Sequence, residues 1–137
     1  MNDCIFCKIV AKEIPSTIIY EDEHVLAFMD IGPIIKGHAL VVSKAHYDPV
    51  TETPDDVLAK LHQAAKRIAR AQVNGLGADG VNIMQNNGKA AGQEVPHIHV
   101  HVIPRFNGDG HHWNWNAGKY QDFDEMADLA GKMRDCL

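Results

Sequence analysis

Three histidines that alternate with apolar residues, His97, His99 and His101, form the clearest chemical pattern in the sequence. On a β-strand, alternate side chains point to the same face, so the three imidazoles would share one face, with neighbours about 6–7 Å apart across two rises of ~3.3 Å. Three uses fit this pattern. The face can be polar and partly exposed, or it can supply two ligands to zinc. Alternatively, one neutral imidazole can attack phosphorus while a neighbouring ring donates to the phosphoryl oxygens or to the leaving group. The spacing leaves these alternatives open.

A cysteine pair near the start of the chain, Cys4 and Cys7, has the spacing of zinc ligands. One such pair needs two further ligands from elsewhere, and the alternative is two buried free thiols. With Cys136 the chain holds three cysteines. An odd, low count does not indicate a disulfide framework.

The histidine row must be positioned by a strand, and apolar runs bounded by turn residues predict several strands. Strands outnumber helices and most connections are short, which indicates an α+β domain with a mainly antiparallel sheet of about five strands. The predicted strands are Thr17–Tyr20, Val25–Asp30, His38–Ser43, Val81–Asn86 and Pro96–Pro104, and loops are predicted at Asn87–Gly92 and Phe106–Tyr120.

One long helix is predicted at Pro54–Asn74, because Thr53 is a good N-cap and Gly75 is a natural C-terminal cap. Shorter helices are predicted at Cys4–Lys12 and Asp122–Cys136. Apolar residues at helical spacing predict the buried stripe of the long helix, which would comprise Val57, Leu61, Ala64, Ile68 and Ala71.

Length and charge narrow the class of protein. The 137 residues fit one domain over residues 1–137. The net charge of −5 argues against a partner that is a nucleic acid polymer, whereas a small anionic ligand needs only local donors. No apolar run approaches the ~20 residues of a membrane span, and the first residues lack the pattern of a signal peptide. We therefore expect a cytoplasmic protein with no membrane partner.

The run that contains the histidine row resembles the signature of the histidine-triad (HIT) family, in which three histidines alternate with apolar residues. Further segments extend the resemblance from Cys4 to about Arg105, and it is closest to the Hint branch and its bacterial Hit-like proteins. It implies a HIT-like fold with one long helix and a C-terminal helix, and a homodimer. The segments that carry the resemblance are Gly92–Ile103, Cys4–Ile9, Phe28–Ile31 and Lys36–Val42.

The resemblance implies an enzyme that cleaves purine nucleotide derivatives at the α-phosphate, with adenosine phosphoramidates as the substrate class. His99 would be the nucleophile that forms a nucleotidyl-histidine intermediate, with Nδ1 bonded to a backbone carbonyl and Nε2 left to attack. His101 would touch the phosphate or assist the leaving group, and His38 would lie beside the same phosphate. Two alternatives stay open, a dinucleoside polyphosphate hydrolase and a nucleotide- and zinc-binding interaction protein with little turnover.

The same resemblance implies the binding residues. Asp30 would accept hydrogen bonds from the ribose hydroxyls. Ile31, Phe6 and Phe28 would hold the purine, although the two phenylalanines fit plain core positions equally well. The phosphate-facing loop would contribute Asn86, Gly92 and Gln93.

A structural zinc is also implied, held by a closed set of Cys4, Cys7, His46 and His97, which would remove His97 from the catalytic row. Glu94 departs from the Hint branch, where serine is frequent. This acceptor would favour a cationic leaving group such as a lysine amine, or it would point to solvent. His111, His112, Trp113 and Trp115 lie in the late loop, where the resemblance is too weak to assign a role to any residue.

Overall fold

The computed structural model describes residues 3–113 and 116–137. Its sheet has five strands in the order β1-β2-β3-β5-β4, and every neighbouring pair is antiparallel. This confirms the α+β class and the antiparallel sheet. Trp115 lies outside the described residues. The elements are α1 (Ile5–Val10), β1 (Ile18–Glu21), β2 (Val25–Met29), β3 (Ala39–Ser43), α2 (Asp55–Leu76), β4 (Gly80–Met84), β5 (His99–Arg105) and α3 (Phe123–Arg134), with 3-10 turns at Val50–Glu52 and Lys89–Ala91.

The two faces of the sheet pack against different helices. One face turns the small and β-branched side chains of β2, β3 and β5 toward α2, where they form a core with Leu61, Ala64, Ala65 and Ile68. The alternate residues form a second cluster with the N-terminal segment. That cluster contains Cys4, Phe6, Ile9, Leu26, Phe28, Leu40 and Val42.

The histidines belong to the second face. The sheet register pairs His99 with Val42 and His101 with Leu40, and the Phe6 ring lies edge-on to His99 with ring centroids 5.0 Å apart. The shared strand face was therefore correctly predicted for His99 and His101. It lies opposite α2 and beside α1.

The histidine strand begins later than Pro96. His97 donates its backbone N–H to Val95, and Ile98 donates to Tyr47, before the ladder with β3 starts at His99. The sequence period alone does not reveal where pairing with a neighbour starts. His97 therefore lies in a turn, whereas His99 and His101 lie in β5.

The caps predicted for the long helix were wrong. The Thr53 hydroxyl donates to the Pro49 carbonyl, and the helix begins at Asp55 without a side-chain cap. At the other end, Gly75 is still helical, and Gly77 adopts the left-handed conformation (φ 71°) that ends the helix. The C-terminal boundary moved because a second glycine, Gly77, lies two residues beyond the predicted cap.

The buried stripe of α2 also differs at one position. Ala71 is exposed, and the neighbouring Gln72 is buried. The Gln72 amide donates to the carbonyls of Gly37 and Val102, at 3.0 and 2.9 Å. A polar residue occupies the stripe because the buried carbonyl of Val102 and the partly buried carbonyl of Gly37 need a donor.

The two short helices are shorter than predicted. Cys4 caps α1, since its Sγ accepts from the Cys7 N–H, and Asp122 caps α3 by accepting from Glu125. No residue of α3 is buried. Among the described residues, none of the helices is both long and apolar enough to cross a membrane.

Candidate active site

A cavity of about 550 Å³ opens on the histidine face of the sheet, beside α1. It brings together residues that are up to about a hundred positions apart in the chain, which is what a folded binding site requires. Its lining contains the predicted residues Phe6, Phe28, Asp30, Ile31, His38, Asn86, Gly92, His99 and His101, together with Glu94.

His99 is the histidine whose attacking nitrogen is most clearly available. Its Nδ1 lies 2.6 Å from the carbonyl oxygen of His97. A carbonyl oxygen only accepts, so Nδ1 carries the proton and Nε2 keeps its lone pair. Burial lowers the pKa of His99, while the hydrogen bond to His97 raises it. The neutral ring presents a lone pair to the cavity.

His38 and His101 form a hydrogen-bonded pair with defined proton positions. The Ile34 N–H donates to His38 Nδ1 at 3.1 Å, which leaves the His38 proton on Nε2. That proton is donated to His101 Nδ1 at 2.9 Å. His101 therefore holds its own proton on Nε2. In the lining, His101 is a donor beside the lone pair of His99.

Burial, together with the neighbouring His99 and His38, lowers the pKa of His101 to about 4. Burial also lowers the pKa of His38, against the opposing charge of Asp30. The Asp30 carboxylate oxygen Oδ2 lies 3.6 Å from His38 Nε2. The pair is therefore neutral at pH 7.

Ligating atoms of Asp30, His38 and His101 lie within 4.8 Å of one another, as a metal site would require. The tautomers argue against that use. A cation on His38 Nε2 would move the proton to Nδ1, where the Ile34 N–H already points. This arrangement is a chain of hydrogen bonds, which disfavours the interpretation of the histidine row as a catalytic metal centre.

The apolar residues predicted to hold a base occupy two kinds of position. Ile31 is fully exposed at 103% and contributes nothing to the core. Phe6 and Phe28 are buried and pack edge-on, with ring centroids 5.7 Å apart, yet both line the cavity. The phenylalanines thus serve the core and the cavity wall together.

Gln93 is the one predicted binding residue that does not line the cavity. Its Nε2 donates to Asp48 at 2.6 Å and to the Val95 carbonyl at 2.9 Å, and its Oε1 accepts from the Gly88 N–H at 2.7 Å. The side chain holds the loop in place. Asn86 and Gly92 do line the cavity, with the Asn86 amide 3.7 Å from the position that a Gly92 Cβ would take.

Two residues that hold the site in place could not be predicted from the sequence. Ile34 acts through its backbone N–H, and Asp48 acts through Gln93, so neither follows from a motif. Leu40, which also lines the cavity, could have been predicted, because strand alternation places it on the histidine face opposite His101.

A second cluster, adjoining the cavity, joins Cys4, Cys7, His46 and His97. His97 Nδ1 lies 3.3 Å from Cys4 Sγ and 3.6 Å from Cys7 Sγ, and His46 Nδ1 lies 3.3 Å from Cys7 Sγ. In a zinc tetrahedron with Zn–S ≈ 2.3 Å and Zn–N ≈ 2.0–2.1 Å, the sulfur–nitrogen edge is about 3.6 Å. The cluster therefore fits a Cys₂His₂ site.

The proton positions agree with this fit. His97 Nε2 donates to the Ser43 carbonyl at 2.7 Å, so the Nδ1 lone pair faces the two sulfurs. Burial and the Cys4 thiol raise the pKa of Cys7. A bound cation would have to displace the proton of that thiol.

The late loop lies elsewhere. His111 and His112 line a different cavity of about 510 Å³ near the end of β5. Trp113 donates its indole N–H to Asn82 at 2.8 Å. Arg105 binds Asp109 and the His111 carbonyl, which fixes the loop. None of these described loop residues lines the active-site cavity.

Comparison with known proteins places this arrangement among relatives. A family described as "HIT domain" matches residues 11–108. An uncharacterized HIT-like protein of Methanocaldococcus jannaschii is 51% identical over 123 residues, covering 90% of this chain and 95% of the relative. An adenosine 5'-monophosphoramidase of Saccharomyces cerevisiae is 42% identical over 127 residues, covering 92% and 77%. A zinc-bound histidine triad family protein from Mycobacterium smegmatis matches with a TM-score of 0.79 and 39% identity, covering 99% of each chain.

Proposed function

The chain belongs to the histidine-triad family, and on this basis we propose that it hydrolyses purine nucleotide derivatives at the α-phosphate, with adenosine phosphoramidates as its substrates. The observation that carries the proposal is the tautomer of His99, whose Nδ1–H is bonded to the His97 carbonyl. This bond directs the Nε2 lone pair toward the cavity. The activity named for the yeast relative supports the substrate class.

The proposed reaction has two displacements. His99 Nε2 attacks phosphorus and forms the N–P bond of a nucleotidyl-histidine. The P–N bond of the substrate breaks with its electron pair on nitrogen, which takes up a proton and leaves as an amine. Water then attacks phosphorus, loses a proton to solvent and breaks the bond to His99. The products are the amine and a nucleoside monophosphate.

His101, His38 and Asp30 assist this chemistry in the proposal. The His101 Nε2–H donates to a phosphoryl oxygen as negative charge develops there. His38 holds that tautomer through its bond to His101 Nδ1. Asp30 accepts from the ribose hydroxyls, and one of its oxygens is already fixed by the Gly32 N–H at 2.8 Å. Ile31, Phe6 and Phe28 hold the purine, and Asn86 and Gly92 face the phosphate.

The proposal is tested with His99→Ala and with His62→Ala as the matched control, since His62 is an exposed histidine of α2 outside the cavity. We expect His99→Ala to lower kcat for an adenosine phosphoramidate by at least about a thousandfold, because it removes the nucleophile. Binding of adenosine monophosphate stays within about threefold, measured by calorimetry. Turnover retained in His99→Ala contradicts the proposal. A wild type that binds the nucleotide without turnover supports the interaction-protein alternative.

We propose that Cys4, Cys7, His46 and His97 hold a structural zinc ion, in a cytoplasm that keeps both thiols reduced. The fit of the donor set supports this, and a zinc-bound relative exists. The ion would supply cross-linking of the N-terminal segment to the turn before β5, with no open position for chemistry. Metal analysis of the Cys4→Ser, Cys7→Ser double variant should show loss of zinc, whereas Cys136→Ser, an exposed thiol, keeps it. Full occupancy in the double variant contradicts the assignment.

We propose that the protein forms a homodimer. β4 lies at the edge of the sheet with Ile83 45% exposed, and α2, which contacts β4, exposes Val73 and Leu76. A sheet edge with unpaired backbone groups and exposed apolar side chains is a favourable surface for pairing with a second copy of the chain. Light scattering should give twice the chain mass, and Ile83→Arg should shift it toward the monomer more than Ile19→Arg does, on the exposed opposite edge strand. A monomeric wild type contradicts this proposal.

A further inference from the structure

The charge of the active-site cavity is unusual for a site that receives a phosphate. Its lining contains two carboxylates, Asp30 and Glu94, and three histidines. His38 and His101 each accept a hydrogen bond at Nδ1, so both of these rings are neutral. Within the described chain, no lysine or arginine lines the cavity, and Lys89 of the adjoining loop lies outside the lining.

A lining without cations selects among substrates by their charge. A chain of several phosphates would bring several negative charges toward two carboxylates with no compensating cation, which is unfavourable. In a substrate with a single phosphate and a positively charged leaving group, the positive charge offsets the negative charge of the phosphate. The cavity therefore disfavours polyphosphate-linked substrates and favours a substrate whose leaving group is cationic.

Glu94 is the carboxylate that the proposed binding of the nucleotide leaves unused. It is exposed, and it shares the cavity lining with His99 and His101. Within residues 3–113 and 116–137, no side chain forms a salt bridge or hydrogen bond with its carboxylate. An ammonium group of the substrate would be its first partner.

The backbone at Glu94 is held from both sides. The Gln93 side chain donates to the Val95 carbonyl and to Asp48, so the residues before and after Glu94 are tied to one another and to the turn at Asp48. These bonds fix the backbone from which the Glu94 side chain extends at the lining of the cavity.

We propose that Glu94 selects nucleoside phosphoramidates whose leaving amine carries a second, positively charged amino group, such as those of alkyl diamines. This inference rests on the proposed function, because it names the leaving group of the same reaction. Glu94 attracts the distal ammonium and takes no part in breaking the P–N bond. It is therefore a specificity-determining residue.

The test compares two adenosine phosphoramidates with leaving amines of equal length, propane-1,3-diamine and butylamine, which differ by an ammonium in place of a methyl group. For the wild type we expect kcat/KM to be about three- to fivefold higher for the diamine conjugate, the range of an exposed ion pair. The preference should shrink as salt is added. In Glu94→Gln the ratio should approach one, and in Glu94→Lys it should fall below one. Glu52→Gln removes the same charge at an exposed position outside the cavity and keeps the wild-type ratio.

The outcomes separate this inference from the proposed function. Equal ratios in the wild type and Glu94→Gln, with both enzymes active, overturn the role of Glu94 and leave the hydrolase intact. Absence of turnover on both conjugates overturns the proposed function and the inference together.

Discussion

At the scale of single residues, the site is defined by where three protons sit. His99 holds its proton toward the backbone, and His38 and His101 hold theirs on Nε2. The difference between these tautomers comes from two backbone groups, the His97 carbonyl and the Ile34 N–H. Two histidines of the same strand thereby carry their protons on different nitrogens, so His99 keeps a lone pair on Nε2 and His101 keeps an N–H donor there.

This pattern predicts the nitrogen spectra of the ligand-free protein. Long-range ¹H–¹⁵N correlations at pH 7.5 should show His99 as the Nδ1–H tautomer, and His38 and His101 as Nε2–H tautomers. His99→Ala and His101→Ala variants provide the assignments. A His101 signal of the Nδ1–H form would contradict the hydrogen-bonded pair.

The low pKa of His101 predicts a pH dependence of stability. The folded ring takes up a proton near pH 4, whereas the unfolded ring does so near its ordinary 6.5. Between these values the unfolded state binds more protons, so this contribution is complete above pH 6.5 and is lost as the pH falls toward 4. Urea unfolding at pH 7 and pH 5 should therefore show a smaller loss for His101→Asn than for the wild type. The exposed control His62→Asn should behave like the wild type, and an equal loss in all three would contradict the prediction.

At the scale of elements, the fold depends on packing against both faces of the sheet, by α2 on one face and by the N-terminal segment on the other. Gln72 is the polar contact within this packing, since it donates to the carbonyls of Gly37 and Val102 across two elements. A side chain at Gly37 would be strained, because its φ is 104° and a Cβ there would lie 2.8 Å from Leu76 Cδ1 and 3.0 Å from Pro104 Cγ. The end of α2 is thus fitted closely to the turn before β3.

Gln72→Leu should lower the free energy of unfolding by about 1–3 kcal/mol, because the buried carbonyl of Val102 and the partly buried carbonyl of Gly37 lose their donor. Gln63→Leu makes the same change on the exposed side of α2 and should stay within about 0.5 kcal/mol. Urea unfolding measures both. A Gln72→Leu protein as stable as the wild type would contradict the role assigned to this amide.

The elements also show which features of the fold could be predicted from the sequence. Alternation placed His99 and His101 on one face correctly, since the period of a strand is a local property. Local patterns could not predict that Gln72 is buried, because its partners are carbonyls in distant parts of the chain. Likewise, the expectation that Gln93 faces phosphate did not include Asp48, which lies 45 positions earlier and accepts from its amide.

At the scale of the whole molecule, the Cys/His cluster and the histidines of β5 are connected through His97. The His97 side chain faces the two sulfurs, and its carbonyl accepts from His99. A contact that fixes the position of His97 therefore also fixes His99, the proposed nucleophile. The proposed zinc would therefore act on turnover through position alone.

Removal of the metal should lower Tm by roughly 10 °C, which corresponds to an ion present at about a thousandfold its Kd in a domain of this size. Activity should fall at the same time and return with zinc, as followed by thermal scans and by hydrolysis after chelation. The Cys4→Ser, Cys7→Ser double variant serves as the control, since the chelator should leave its Tm unchanged. An unaltered Tm in the chelated wild type would contradict the coupling.

The distance along the chain between the partners of this cluster has a consequence for synthesis on the ribosome. Cys4 and His97 are 93 positions apart. At about 5–20 residues per second, the two thiols are made roughly 5–20 s before the histidine that completes their site. The N-terminal wall of the cavity is therefore made well before β5, and the residue proposed as the nucleophile is added only when 99 of the 137 residues have been translated.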